Sequence, residues 1–324
     1  MTEQPQRRSE QHRVVILAGG LSHERDVSLR SGRRVADAMR DAGLEVTVRD
    51  VDAGLMQWLR SEKPDCVIPL LHGEAGEDGA LREVLELAGV PYVGSTPAAA
   101  RVAFDKPIAK QVVASAGLRT PEAVALPADT FREVGAAAVM EAMVEQLGLP
   151  LFVKPAKGGS ALGCSLVRTV DDLPTAMVGC FSYGPVALVE RCVVGVEVTV
   201  PVIADGSDGS PRALPAVEIR PDGGVYDYTA RYTAGATEFV VPAELDPSIA
   251  EECARVAELA HRSLGLRDLS RCDLILDENG VVWFLEVNVA PGMTETSLVP
   301  LSVEAAGLEL GAVFASLVEV AVAR

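Results

Sequence analysis

The sequence predicts a mixed α/β and α+β fold: an N-terminal part built on a parallel sheet, then two smaller mixed layers. Three observations carry that expectation. Over the first 95 residues, short β-branched runs alternate with helical patterns, as in parallel sheets with crossover helices. After about residue 96 the pattern shifts to strands joined through glycine-rich turns. The length, 324 residues with 48% hydrophobic content, suits two or three domains with real cores.

The elements follow in order. Residues 13–18, Arg-Val-Val-Ile-Leu-Ala, read as a strand ending in Gly19-Gly20. A helical pattern covers 22–42, then strand 45–51, helix 53–61, strand 65–71 and helix 79–87. Pro91-Tyr92-Val93 is expected to begin another strand. The loops after the strands hold Gly19-Gly20 and His72-Gly73. Ligands of open α/β sheets sit at such carboxyl-end loops. The second region has helix 98–116, strand 123–126, helix 131–147 and strand 151–154. A glycine-rich loop, 158–163, then leads to a strand ending at Val167. The third region carries strands 196–203, 213–219, 271–276 and 281–287, and helices 248–264 and 302–323. Between them a long polar stretch, 222–237, holds three of the five tyrosines and reads as a lid.

Charge narrows the partners. With 29 Lys plus Arg against 46 Asp plus Glu, the net charge is −17. Such a surface repels nucleic acid and anionic membranes, but leaves room for a local basic pocket. Residues 1–13 lack the apolar run of a signal peptide, and no stretch reaches about 18 uninterrupted apolar residues. A cytoplasmic location is expected. The six cysteines form no Cys-x-x-Cys pair, so buried, reduced thiols are expected rather than a zinc framework.

The strongest chemical signal is the pair Arg271-Cys272-Asp273 and Glu286-Val287-Asn288. On a strand, residues two apart share a face. Asn279-Gly280 between them suits a two-residue hairpin turn. That turn sets Asp273 opposite Glu286 and Arg271 opposite Asn288; a four-residue turn shifts the partners but keeps the face. Facing carboxylates repel unless a cation compensates, and Mg²⁺ bound with phosphate is the natural candidate. A solvated strand face, with Arg271 paired to an acid, is the bland alternative. The apolar flanks 274–276 and 281–285 favour a partly buried site.

Lysine is scarce: only 63, 106, 110, 154 and 157. Lys154 ends an apolar strand just before the glycine-rich loop, where N–H groups can approach phosphate. The loop lacks the P-loop pattern, and alone it could be a plain hairpin turn. Glu24 follows Ser22, a plausible helix N-cap, and could serve only the helix dipole. His72 opens the acidic loop 74–78, which has no EF-hand spacing.

Taken together these residues resemble the D-alanine–D-alanine ligases of the ATP-grasp superfamily. The resemblance runs from about Arg13 to the end. It rests on Gly19-Gly20-Leu21-Ser22-His23-Glu24, His72-Gly73 with Gly76-Glu77-Asp78-Gly79, and Pro91-Tyr92-Val93-Gly94-Ser95. It continues through Lys154-Pro155, Gly159-Ser160, Tyr226-Asp227-Tyr228, Tyr232, Arg271-Cys272-Asp273, Glu286-Val287-Asn288 and Pro291-Gly292-Met293-Thr294. It implies a three-domain ATP-grasp architecture, with divisions 1–95, 96–190 and 191–324, and ATP between the second and third.

The resemblance also implies roles. Asp273, Glu286 and Asn288 would hold two Mg²⁺ ions, or Mn²⁺. Lys106, Lys154 and Arg231 would contact ATP phosphates, Glu190 and Val193 adenine, and Glu197 ribose. Glu24 would bind the ammonium of the first D-alanine with His72 beside it, and Ser297 and Leu298 the carboxylate of the second. Glu24, Ser160 and Tyr232 would close the lid, and Arg271 with the Gly292 N–H would form an oxyanion hole. The implied reaction makes D-alanyl-D-alanine through a D-alanyl phosphate, releasing ADP and phosphate, for peptidoglycan precursors and hence cell shape. A homodimer is implied. The alternatives are a ligase taking D-serine, D-lactate or another D-amino acid second, or a non-catalytic nucleotide-binding homologue. Three positions depart from the family: Arg231 replaces Lys, Ala161 replaces the second of two serines, and Leu81-Arg82-Glu83 replaces Leu-Gln-Gly.

Overall fold

The fold is that of a computed structural model describing residues 12–206, 209–223, 226, 230, 233 and 235–324. The first layer is the expected parallel sheet. Strands β1 (Arg13–Leu17), β2 (Glu45–Arg49) and β3 (Cys66–Pro69) pair in the order β2-β1-β3. Helices α1 (Arg25–Asp41), α2 (Leu55–Glu62), α3 (Glu74–Glu77) and α4 (Ala80–Ala88) connect and cover them. Pro91-Tyr92-Val93 does not extend the sheet. It makes a single parallel bridge, Val67 to Tyr92, and the chain turns at once into the next helix.

The expected helix 98–116 is two helices, α5 (Pro97–Phe104) and α6 (Lys106–Ser115). Pro107 cannot donate an N–H to the preceding turn, so the helix restarts with proline in its first turn. Asp105 is extended at the break and caps α6 through the Ile108 N–H. The break aims Lys106 and Lys110, one turn apart, into the molecule, and both are buried. The expected helix 131–147 splits likewise at Gly135, φ +96°, into α7 (Ala128–Val134) and α8 (Ala136–Leu147). Strands β4 (Ala123–Pro127), β5 (Leu151–Pro155), β6 (Ser165–Val167) and β7 (Val186–Arg191) form an antiparallel sheet, β4-β7-β5-β6, with α9 (Leu173–Phe181) packed on it.

The third sheet contains β8 (Gly195–Ile203), β9 (Arg212–Ala213), β10 (Val217–Pro221), β11 (Thr237–Val240), β12 (Leu269–Asp277) and β13 (Val282–Asn288). Its order is β11-β10-β8-β12-β13, with β9 on β8. Helix α10 (Pro247–Ser263) covers it. The chain ends in α11 (Leu298–Ala305) and α12 (Leu310–Val322), which replace the single expected helix 302–323. Among the described residues no helix is long and apolar enough to cross a membrane.

The apolar cores join layers distant in sequence. Val14, Ile16 and Ile68 of the first sheet share one core with Phe314, Leu317 and Val318 of α12. Ala99, Ala103, Ala109 and Val113 of α5 and α6 pack with Val198, Leu274 and Phe284 of the third sheet. The first core depends on close approach of α12 to α1. A Cβ on Gly311 would lie 2.1 Å from the Ala38 carbonyl oxygen, so no larger residue fits without moving a helix. Gly311→Ala is expected to cost about 1–3 kcal/mol; an unchanged urea-unfolding midpoint would contradict this packing.

Candidate active site

The site begins with the β12–β13 hairpin. The expected pairs form: Asp273 faces Glu286 and Arg271 faces Asn288. The route to that register differs from the expected one. Asp277 N–H donates to the Val281 carbonyl and Gly280 N–H to the Asp277 carbonyl, and Gly280 has φ +76°. The loop is therefore the three residues 278–280 with glycine in the left-handed position. This turn pairs Leu276 with Val282 and Leu274 with Phe284. Continued unbroken, it would put Leu285 opposite Asp273. A β-bulge at Leu285 supplies the missing residue.

The bulge decides where the acids point. Val282 and Phe284 are buried in the core, and so are Val287 and Val289. Core-facing positions thus change from even to odd numbers across Leu285. Without the extra residue, Glu286 and Asn288 would follow Phe284 into the core. With it, they share the open face with Arg271 and Asp273.

Two cavities meet on that face. The larger, about 550 Å³, is lined by Lys154, Glu190, Val193, Glu197 and Asp273. The smaller, about 170 Å³, is lined by Glu24, His72, Ser160, Arg271, Gly292, Ser297 and Leu298, with Asn288 at its wall. Lys106, Glu286, Gly158, Gly159 and Tyr226 line both. The residues expected to hold nucleotide fall in the first cavity, and those expected to hold amino acid in the second. Tyr232 and Arg231 lie outside the described residues, so the lid contacts expected of them do too. The stretch they belong to leaves β10 and returns at β11, closed at its base by Asp222 N–H donating to the Ala236 carbonyl.

In the larger cavity the charges are interlocked. Glu190, on β7, accepts from Lys154 at 2.8 Å and also from Lys110. All three side chains are buried. Burial works against the Lys154 charge, but Glu190 and Glu286 outweigh it and raise its pKa. Burial likewise opposes the Glu190 charge, and the two lysines keep it ionised with a lowered pKa. For Lys110 burial wins and lowers its pKa to about 8, with Glu190 limiting the shift. Two ammonium groups against one carboxylate leave a net positive charge beside the cavity. Lys106 completes the set: its Nζ donates to the Gly158 carbonyl at 2.7 Å and lies 3.6 Å from Glu286.

Asp273 is held by Arg271 in a bidentate pair, at 2.8 and 2.7 Å, and by the Thr199 hydroxyl at 2.5 Å. Burial opposes the Arg271 charge, and Asp273 more than restores it. Both the pairing with an arginine and the burial weighed from sequence are therefore present. Among the described residues no cluster of three or more His, Cys, Asp or Glu forms a self-sufficient metal cage.

In the smaller cavity Glu24 precedes α1 but does not cap it. Its carboxylate instead accepts from the Ser160 hydroxyl, 136 positions away. Ser22 Oγ takes the local role, accepting from the Glu24 N–H. Ser160 and Ala161 are non-glycine residues in the left-handed region, at φ +53° and +55°, a strained conformation of the kind kept at functional sites. Gly73 must be glycine because its backbone, at φ +75° and ψ −167°, lies in a region open essentially to glycine alone. Ser297 precedes α11 and accepts from the Thr294 N–H at 2.9 Å.

Sequence reasoning missed Lys110, Thr199 and Glu77. Lys110 had a signal: it lies four residues after Lys106 on one helix, hence on the same face. Glu77 sits in the quoted Gly-Glu-Asp-Gly motif. It is buried, accepts from the Gly73 N–H at 3.1 Å, and burial followed by the Glu24 charge raises its pKa to about 7. Thr199 had none, because its contact with Asp273 spans 74 positions.

Comparison with known proteins identifies the family. A family profile described as D-ala D-ala ligase C-terminus matches residues 112–319, and one described as D-ala D-ala ligase N-terminus matches 56–95. A D-alanine–D-alanine ligase of Pelotomaculum thermopropionicum is 37% identical over 309 residues, 95% of this chain and 96% of the relative. The structure of a Bacillus anthracis D-alanine–D-alanine ligase complexed with ATP aligns with TM-score 0.79 at 25% identity, covering 96% and 98% of the two chains. A D-Ala:D-Ser ligase from Enterococcus faecalis aligns with TM-score 0.81 at 25% identity, covering 96% and 99%. The chain belongs to the D-alanine–D-alanine ligase family, with the ATP-grasp fold.

Proposed function

We propose that this chain uses ATP to join two D-alanines into D-alanyl-D-alanine by way of an acyl phosphate. The observation that carries the reading is the meeting of two cavities at Lys106 and Glu286. A nucleotide in the larger and an amino acid in the smaller would bring a phosphoryl group and a carboxylate together there. The ATP bound to the Bacillus anthracis relative supports the first assignment. The regions 1–95, 96–190 and 191–324 would serve as its domains. Family membership supports a homodimer acting in the cytoplasm on peptidoglycan precursors.

Glu190 and the backbone at Val193 would hold adenine, and Glu197 the ribose. Lys106 and Lys154, with Arg231, would hold the phosphates. Lys110 keeps Glu190 from cancelling Lys154, so the trio stays cationic. Asp273, Glu286 and Asn288 fit Mg²⁺, two ions, or Mn²⁺, because a hard cation needs only one or two carboxylates when phosphate oxygens complete its shell. Bound there, the cations would neutralise charge on the phosphoryl group in transfer.

Glu24, oriented by Ser160, would take the ammonium of the first D-alanine and turn its carboxylate toward the junction. Ser297, Leu298 and the N-terminus of α11 would receive the carboxylate of the second. Arg271 uses Nε and Nη2 on Asp273, which leaves Nη1 for a substrate oxygen beside the Gly292 N–H. Those donors would stabilise the oxyanion formed when the amine attacks. Tyr232 would complete the contact of Glu24 with Ser160 and help exclude water from the acyl phosphate. D-Serine as second substrate is the alternative, favoured by the likeness to the Enterococcus faecalis ligase.

The direct test supplies ATP with D-alanine alone, and with D-alanine plus D-serine or D-lactate, and weighs the products. D-Alanyl-D-alanine as the dominant product supports the reading; D-alanyl-D-serine in excess would replace it. Glu286→Gln should lower turnover at ordinary Mg²⁺ by about 100-fold or more with the fold intact by circular dichroism. Wild-type turnover would remove Glu286 from the metal set. Lys110→Met should raise the KM for ATP by about tenfold or more, because the buried trio becomes neutral. An unchanged KM would assign Lys110 to structure alone.

A further inference from the structure

Both ring nitrogens of His72 are engaged inside the protein. Nδ1 lies 2.9 Å from the Ala290 carbonyl oxygen, and Nε2 lies 3.1 Å from Ser31 Oγ. A carbonyl can only accept, so the proton sits on Nδ1. Burial lowers the pKa of the ring, so it is neutral and Nε2 accepts from the Ser31 hydroxyl. Ser31 Oγ in turn accepts from the Met293 N–H at 3.0 Å. The chain of donors is directional: Met293 N–H to Ser31, Ser31 O–H to His72, His72 Nδ1–H to Ala290.

That chain ties both ends of the turn 290–293, and Gly292 lies between them. The flanks are held from the same side. Arg82 donates to the Val289 carbonyl at 3.2 Å and Arg34 to the Thr294 carbonyl at 2.5 Å. Ser31 and Arg34 share a face of α1. The N-terminal layer therefore grips the turn that presents the Gly292 N–H, and Ser31, fully buried, is at the centre of the grip.

An oxyanion donor works only if it is fixed before the reaction. Glycine has no side chain to fix it. We propose that Ser31 and His72 are positioning residues for the peptide-forming step, holding the Gly292 N–H on the carbonyl under attack: Ser31 lies clear of the cavity, and His72, at its wall, has both ring nitrogens committed to the brace. The proposal rests on the ligase reading above. It separates the two half-reactions, because phosphoryl transfer uses Lys106, Lys154 and Glu286 instead. With the brace lost, acyl phosphate still forms but the amine attacks it slowly. Water then attacks the phosphorus of the stranded acyl phosphate, which breaks its P–O bond without charging the carbonyl oxygen and so needs no oxyanion donor; D-alanine and phosphate return, and ATP is hydrolysed without dipeptide.

The test measures phosphate and dipeptide in parallel with D-alanine as substrate. The wild-type enzyme should give about one phosphate per dipeptide. Ser31→Ala should slow dipeptide formation about 10- to 100-fold and raise the ratio to about 3:1 or more, with the KM for ATP within about twofold. His72→Asn keeps an N–H toward Ala290 but loses the acceptor for Ser31, so its ratio should lie between the two; it also carries the test if Ser31→Ala does not fold. A ratio that stays at one in both variants, whether or not the rates fall, overturns the positioning role. Wild-type enzyme that forms no dipeptide from D-alanine would instead overturn the ligase reading itself.

Discussion

Two carboxylates face each other across an antiparallel strand pair, Asp273 on one strand and Glu286 on the next. Side chains so placed have Cβ atoms about 5 Å apart and repel strongly when partly buried. The rest of the site answers that repulsion. Arg271 and Thr199 hold Asp273, and Lys106 stands beside Glu286. These contacts fix the acids in place on the open face, which suits the cation binding proposed for them. The single-residue bulge at Leu285 is what makes the arrangement exist. It turns Glu286 and Asn288 out of the core while Val287 and Val289 turn in.

The layers on either side then have simple tasks. The antiparallel sheet brings Lys154 and Glu190 to the larger cavity, and the restart of α6 at Pro107 adds Lys106 and Lys110. The parallel sheet brings Glu24 and His72 to the smaller cavity. The shared cores make these placements mutually dependent: α5 and α6 pack on the third sheet, and α12 packs on the first. A chain of net charge −17 thus gathers three of its five lysines, Lys106, Lys110 and Lys154, at the larger cavity, beside the acids Glu190 and Glu286.

Much of this was legible from local pattern. Period-two spacing placed Asp273 and Glu286 on one face, and βα alternation gave the parallel sheet. The register of the hairpin came out correctly although the turn did not, because the longer turn and the bulge compensate. The bulge is marked in the sequence itself: apolar alternation through Val282 and Phe284 changes phase before Val287 and Val289. Helix breaks at Pro107, Gly135 and Gly307 were visible as residues but were overridden by long apolar patterns. The expected strand at residues 91–93 shortens to one bridge: the Pro91 carbonyl and the Val93 N–H pair with Val67, and Gly94, at φ +121°, then turns the chain away. Contacts such as Ser160 to Glu24, Ser31 to Met293 and Thr199 to Asp273 join positions far apart in sequence. Only the fold reveals which partner each hydroxyl finds.

We propose that the bulged hairpin makes an incomplete cation site, which nucleotide completes. Counting bound Mn²⁺ by electron paramagnetic resonance, with and without a non-hydrolysable ATP analogue, tests it most directly. The expected result is about two ions per chain with the analogue and weak or no binding without it. Tight Mn²⁺ binding without nucleotide, or none in its presence, would contradict it.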